Sequence, residues 1–237
     1  MSDEAYDEYT LRQYRAGDAN VRIFYKYQAF RSYTIPTLTG QQIYLSKFAQ
    51  LNDPFDPFLS ALNANHPAGL VGQDDYSESV LRIFADTGIF CVSETPNNQL
   101  LWAHYGDAYR GFCIGYAAYV VPNPRVLHPV QYIGRVPRKL LLRQSLSPQE
   151  LLEGFLLSKP RAWSYEREWR FMMAGDVGLV RTMFPIVQVI FGPRMPLDQR
   201  TALVDATRAT DPDTRVAQPK VVNGHFEILL EKTTPLP

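Results

Sequence analysis

Apolar residues recur along this chain at two spacings, and most elements follow from them. Arg22–Tyr27 is rich in aromatic and β-branched residues and predicts a strand, and Gln42–Ser46 alternates polar with apolar and predicts a second. Gly88–Ser93, Arg110–Tyr116, a weaker Pro129–Ile133, the mostly apolar Phe184–Phe191, and 215–221 with 225–231 complete the strand set. Helical spacing places Val80, Leu81, Phe84 and Ala85 on one face over 75–86. Asn97 or Asn98 can cap a short helix bearing Leu100, Leu101, Trp102 and Tyr105, which Gly106 stops. Ser147-Pro148-Gln149-Glu150 reads as a capping box opening a helix to about Lys159, and Pro196–Ala209 is a further helix. Leu51–Phe58, with its two prolines and Asx residues, and 63–74 read as loop. Strands mingle irregularly with helices, so the expected fold is α+β: a single mixed, mainly antiparallel sheet core flanked by helices.

One stretch carries more chemistry than folding needs. If Tyr165–Phe171 is extended, Glu166, Glu168 and Arg170 share one side, and Tyr165, Trp169 and Phe171 take the other. The aromatic side would anchor in the core and leave two carboxylates and a guanidinium presented together. Such a row either looks into water or lines a site.

Bulk properties bound the rest. At 237 residues and 46% hydrophobic content the chain can bury a full core, expected as one domain over 21–237 after an acidic arm, 1–20. Basic and acidic residues balance at 24 each, so net charge selects no partner. Between Arg125 and Arg170, nine Lys or Arg face four Glu, an excess suited to a nucleotide or a nucleic-acid backbone, or simply to a solvated surface. Cys91 and Cys113 lie in apolar runs and predict reduced core residues. With no apolar leader and no run long enough to cross a bilayer, a cytoplasmic protein without a membrane partner is expected.

Four spots hold surplus polar or aromatic residues. They are Lys26-Tyr27; Asn52-Asp53-Pro54-Phe55; Ser93-Glu94-Thr95 with Trp102, His104 and Tyr105; and Lys159 to Arg170. Each has a plain alternative. His104 can be a packed histidine, Asn52-Asp53 turn chemistry, and Glu166 with Glu168 a solvated face or an ion pair to Arg170. No Gly-x-Gly-x-x-Gly, Walker loop, Gly-x-Ser-x-Gly or His-Glu-x-x-His occurs, which argues against common dehydrogenases, NTPases, α/β-hydrolases and zinc hydrolases. The four histidines are too scattered for a zinc site, so no metal is expected.

In this order the motifs resemble a large bacterial family catalogued as a domain of unknown function, family 2971. The matching blocks are Lys26-Tyr27, Asn52-Asp53-Pro54-Phe55-Asp56, Cys91-Val92-Ser93-Glu94, Leu101–Gly106, Gly111-Phe112-Cys113-Ile114-Gly115 and Lys159–Arg170. Asp56 and Val92 depart from the usual Glu and Phe. The family's layout is itself similar to that of ADP-ribosyltransferases, and that likeness implies roles. Lys26 (or Arg22) would bind the pyrophosphate of NAD. Ser93 and Thr95 would form the middle strand segment, and Glu168 with Glu166 would supply the catalytic carboxylate. Tyr27, Trp102 or Tyr105 would stack nicotinamide. His104 joins the catalytic candidates and Arg170 the binding ones.

Three functions follow as expectations. The first is an NAD-consuming ADP-ribosyltransferase or glycohydrolase, such as a toxin or phage-defence effector, in which Glu168→Gln abolishes turnover with little change in melting temperature. The second is a nucleotide- or nucleic-acid-binding regulatory module without catalysis. The third is a Mg²⁺-dependent nuclease using Asp53, Glu166 and Glu168.

Overall fold

The computed structural model describes residues 3–51, 86–120, 127–135, 147, 150, 154–221 and 228–232. The loops expected at 51–58 and 63–74 and the helix expected over 75–86 fall almost wholly outside them. In chain order the elements are α1 (Asp3–Ala16), β1 (Val21–Gln28), α2 (Thr34–Thr39), β2 (Gln42–Lys47), β3 (Thr87–Ser93), α3 (Gln99–His104), β4 (Phe112–Tyr119) and β5 (His128–Pro129). There follow β6 (Gln131–Ile133), β7 (Ser158–Pro160), β8 (Glu168–Ala174), β9 (Gly178–Arg181), β10 (Ile186–Phe191), α4 (Leu197–Thr210), β11 (Arg215–Val221) and β12 (Ile228–Lys232). The fold is α+β, with mainly antiparallel strands flanked by helices. The chain divides into two compact units, Met1–Ile43 with Val92–Val126 and Arg181–Pro237, and Tyr44–Cys91 with Leu127–Val180.

The first unit is built on the strand order β12-β11-β10-β4-β1, where only β10 and β11 run parallel. β1 and β4 pair along their whole lengths, from Val21 opposite Tyr119 to Gln28 opposite Phe112. Seven of the eight β4 residues are buried, as expected of a strand covered on both faces. Asn98 caps α3, its side chain accepting from the amides of Leu100 at 2.9 Å and Leu101 at 3.3 Å. α4 buries Leu203, Val204, Ala206 and Thr207, a stripe at helical spacing. Gly111 is required where chains cross, because a Cβ there would lie 2.1 Å from the Gln28 carbonyl oxygen.

The second unit pairs β2 with β3 (Ser46 opposite Ile89) and β8 with β3 and β5. β6 and β7 form a separate parallel ribbon with Tyr132 opposite Lys159. Leu45, Ile89, Phe90, Leu127, Phe155, Leu156 and Phe171 make its apolar core. Ser147 and Glu150 do form the expected capping box: the Glu150 carboxylate accepts from the Ser147 amide at 2.8 Å, and the Ser147 hydroxyl accepts from the Glu150 amide at 3.2 Å. The helix stops sooner than its periodicity predicts, however. Gly154–Leu156 are helical and Ser158–Pro160 already belong to β7, because the backbone there pairs with β6 and Pro160 cannot continue a helix.

Candidate functional site

β8 starts three residues later than the stretch expected from Tyr165. Arg161–Glu166 form a 3₁₀ helix, and Arg167 turns the chain with φ +46° and ψ +50° before the strand starts at Glu168. Glu166 therefore reaches the same place as Glu168 by a turn and not by alternation along a strand. The left-handed conformation at Arg167 costs about 1–2 kcal/mol. It is offset because the turn lets both carboxylates meet one cation.

That cation is Lys159. Its Nζ donates to Glu166 Oε2 and, at 2.8 Å, to Glu168 Oε2. Arg170 Nε donates to Glu168 Oε1 at 2.8 Å, its Nη2 to Glu168 Oε2 at 3.4 Å, and its Nη1 to the Leu156 carbonyl at 2.6 Å. Lys159, Glu166, Glu168 and Arg170 are all buried, Arg170 to 1% exposure. The expected assignment of faces is thus reversed at Trp169, which is half-buried while its polar neighbours point inward; Phe171 is buried as expected. Four charges can occupy an apolar interior because they sum to zero and satisfy one another by charge-assisted bonds.

Three clamps hold the cluster. The Tyr132 hydroxyl accepts from the Glu168 amide at 2.7 Å, the Val130 amide donates to the Glu168 carbonyl at 2.9 Å, and the Gln131 amide donates to the Leu157 carbonyl at 2.6 Å. Trp163 lays its ring 5.1 Å from Lys159 Nζ, and the Tyr165 ring is 5.9 Å from that of Trp163. Both rings are half-buried.

These contacts set the ionisation states. Burial alone would raise the Glu168 carboxyl, but Arg170 and Lys159 outweigh it and hold the group well below the usual carboxylate range. Burial likewise works against the Lys159 ammonium, yet the attraction of Glu168 and Glu166 raises its pKa above the ordinary lysine value. Burial, reinforced by the two carboxylates, pushes the Tyr132 phenol up to about 12. Glu168 is thus an ionised, fixed carboxylate at neutral pH.

The remaining residues predicted to bind or act on NAD lie in the first unit, and Asp53 falls outside the described residues. The Tyr27 hydroxyl donates to the Thr95 carbonyl at 2.7 Å, and its ring meets Trp102 edge-on at 5.1 Å. Trp102 is 0% exposed, with Nε1 bonded to the Pro96 carbonyl at 2.9 Å. No face of its indole reaches solvent. Ser93 is buried and its Oγ accepts from the Thr95 amide at 3.3 Å, so the Ser-x-Thr segment is a closed local turn. Lys26 is half-buried and leaves β1 on the side opposite Tyr27. His104 is exposed at the end of α3, with its ring 6.2 Å from that of half-buried Tyr105. The structure therefore joins Glu166, Glu168 and Arg170 in one unit, and Tyr27, Ser93, Thr95 and Trp102 in the other.

Sequence reasoning left Lys159 in the motif without a role and did not single out Tyr132. The i, i+7 and i, i+9 spacing of Lys159 to the two glutamates carried the only available signal; a tyrosine on a three-residue strand carried none. Cys91 and Cys113 are both free thiols, Cys113 fully buried. Among the described residues no three His, Cys, Asp or Glu side chains converge as metal ligands, and no helix is long and apolar enough to cross a membrane.

Fold and site together define an α+β protein with a buried, charge-neutral Lys–Glu–Glu–Arg cluster. No family model, no curated protein and no solved structure matches the chain. The resemblance to the bacterial family rests on the quoted motifs.

Proposed function

We propose that this chain is an NAD-consuming enzyme, an ADP-ribosyltransferase or NAD glycohydrolase, with Glu168 as its working carboxylate. The observation that carries the reading is the state of Glu168: ionised, buried, and held by Arg170 on both oxygens and by Lys159 on one. Breaking the bond between nicotinamide nitrogen and ribose C1′ sends the electron pair to nicotinamide, which leaves neutral, and builds positive charge on the ribose. A carboxylate already fixed in a dry site stabilises that charge without reorganising. Water or an acceptor nucleophile then adds to C1′ and loses its proton. The half-buried Trp163 and Tyr165 rings suit a planar base, and the exposed guanidinium groups of Arg135, Arg161 and Arg167 in the same unit suit a pyrophosphate.

Retaining four buried charges also argues for a role beyond stability, since apolar residues of similar volume would hold such a site equally well or better. The test is calorimetric titration with NAD while free nicotinamide is followed by chromatography, on wild type and Glu168→Gln. The expected result is binding by both and nicotinamide release by wild type alone, with a loss on the order of 10²–10³ in rate. Release that survives in the variant would remove Glu168 from the chemistry.

One observation favours a second reading. Glu166 and Glu168 are already paired with the protein's own cations, while Arg135, Arg161 and Arg167 are exposed. A nucleotide- or nucleic-acid-binding module needs the outer arginines and no chemistry. It predicts binding that weakens steeply with salt and is indifferent to Glu168→Gln.

A further inference from the structure

We propose that a cavity beside α1 in the first unit binds a small zwitterion, an α-amino acid with an apolar or aromatic side chain, whose carboxylate meets Arg215 and whose ammonium meets Asp211. The cavity measures about 490 Å³, within the range of about 300–1,000 Å³ that small-molecule sites occupy. α1 lines it with Leu11 and Tyr14, β10 with Val187, and the segment from α4 into β11 with Asp211, Thr214 and Arg215. A second cavity of about 240 Å³ shares Leu11, Asp211 and Thr214 with the first and is walled by Leu38, Pro185 and Ile186. Together they offer charged groups near solvent and an apolar recess. The site belongs to a different unit from Glu168 and is independent of the NAD reading.

The sheet brings these groups together. Arg215 pairs with Gln188, Gln188 with Gly115 and Gly115 with Tyr25, so the four positions form one row across β11, β10, β4 and β1 and share a face. A Cβ on Gly115 would lie 3.1 Å from Gln188 Cβ and 3.2 Å from Tyr25 Cε1, and over that gap the Tyr25 hydroxyl donates to Gln188 Oε1 at 3.3 Å. Burial pushes the Tyr25 phenol up to about 12, Cys113 and Tyr14 add to the rise and Arg215 opposes it, so the row brings no phenolate charge. Ile186 pairs with Tyr116 while Gln188 pairs with Gly115, which makes Val187 the extra residue of a bulge. A bulge re-aims a side chain, and Val187 lines the cavity.

The charges select the ligand. Arg15 Nη2 donates to Asp213 Oδ2 at 2.8 Å, and those two neutralise each other. Asp211 Oδ1 accepts from the Asp213 amide at 2.9 Å, which fixes the carboxylate, while its Oδ2 stands 3.8 Å from Arg15 Nη2, too far for a hydrogen bond. Asp211 Oδ2 and the Arg215 guanidinium therefore present opposite charges to one cavity. Across both cavities Arg15, Arg181 and Arg215 face Glu8, Asp211 and Asp213, three of each sign. That balance disfavours a phosphate dianion, which the carboxylates repel, and suits a molecule with one charge of each sign. Leu11, Val187 and the Tyr14 ring suit its side chain.

The test is calorimetric titration of the full chain with L-phenylalanine and L-leucine, with the deaminated and decarboxylated analogue of each, and with inorganic phosphate. At least one amino acid should bind saturably at one site. Its two analogues should bind at least about tenfold more weakly, since each lacks one charge-assisted bond. Asp211→Asn keeps the acceptor for the Asp213 amide and Arg215→Gln keeps much of the stem; each should weaken binding at least about tenfold in protein whose circular dichroism matches wild type. The inference is overturned if neither amino acid binds up to about 10 mM, or if an analogue binds as tightly as its parent. Unchanged affinity in either folded variant overturns it too, as does phosphate binding more tightly than both amino acids. The analogue comparison needs wild type alone, so it decides the matter even where a variant fails to fold.

Discussion

Arg170→Met is the perturbation whose cost the geometry specifies most fully. The guanidinium is 1% exposed, donates twice to Glu168 and donates to the Leu156 carbonyl. Methionine fills much of the same volume but takes from Glu168 the cation bonded to both its oxygens, and leaves it the Lys159 ammonium that Glu166 also shares. Breaking a buried pair from one side costs about 3–5 kcal/mol, and an orphaned buried carbonyl adds about 1–3 kcal/mol. For a chain of this length each kcal/mol corresponds to about 2–4 °C, so the broken pair alone should lower the midpoint by roughly 6–20 °C. Thermal unfolding followed by circular dichroism and by the fluorescence of Trp163 and Trp169 measures it. The companion is Lys159→Met/Glu166→Met/Glu168→Met/Arg170→Met, which removes all four charges at once. It should be destabilised less than Arg170→Met, because these four charges leave together and none of them is left without the others, and it should have no activity. A single Arg170→Met that unfolds within about 1 °C of wild type would refute the view of the cluster as mutually dependent charges.

Further outcomes follow from the same contacts. Glu168→Gln should lower the melting temperature as well as turnover, contrary to the expectation from sequence, because it removes the acceptor that Arg170 and Lys159 share; differential scanning calorimetry reads the shift. Glu168 is depressed in the folded state, so its contribution to stability is fully present above the unfolded carboxyl value of about 4.5 and is lost as pH falls below it. Acid unfolding should therefore steepen below that pH in wild type and be blunted in Glu168→Gln. Lys159 and Tyr25 are raised instead, Tyr25 to about 12, so their contributions hold below their ordinary values and disappear as pH climbs past 10. Stability monitored by urea titration should be flat from pH 5 to 9 as far as these groups are concerned. Asn98→Ala should cost about 1 kcal/mol through the two lost cap bonds of α3, measured by urea unfolding. Tyr27→Phe orphans the Thr95 carbonyl and should cost about 1–3 kcal/mol in the same assay.

Local chemistry alone determined much of this protein. The strands at 21–28, 42–47, 87–93, 112–119 and 186–191 were legible because side-chain period and β-branched or aromatic content act within a few residues. So were the Asn98 cap and the Ser147–Glu150 box, which are satisfied by partners two or three residues away. The tetrad Lys159, Glu166, Glu168 and Arg170 was likewise visible as a motif. What the motif could not reveal was which way it faced. Alternation sorts residues onto two sides but does not say which side is buried, and here the charged side went inward because four charges cancel. That cancellation depends on Lys159 arriving on β7 beside Tyr132, a pairing between residues 27 apart in sequence. Trp102 shows the reverse case. Its type and neighbours suggested a ring available to a ligand, yet packing against Tyr27 and a bond to Pro96 enclose it completely. Burial is a property of the assembled chain, since it depends on which distant segments cover a residue, and only the tertiary structure decided it.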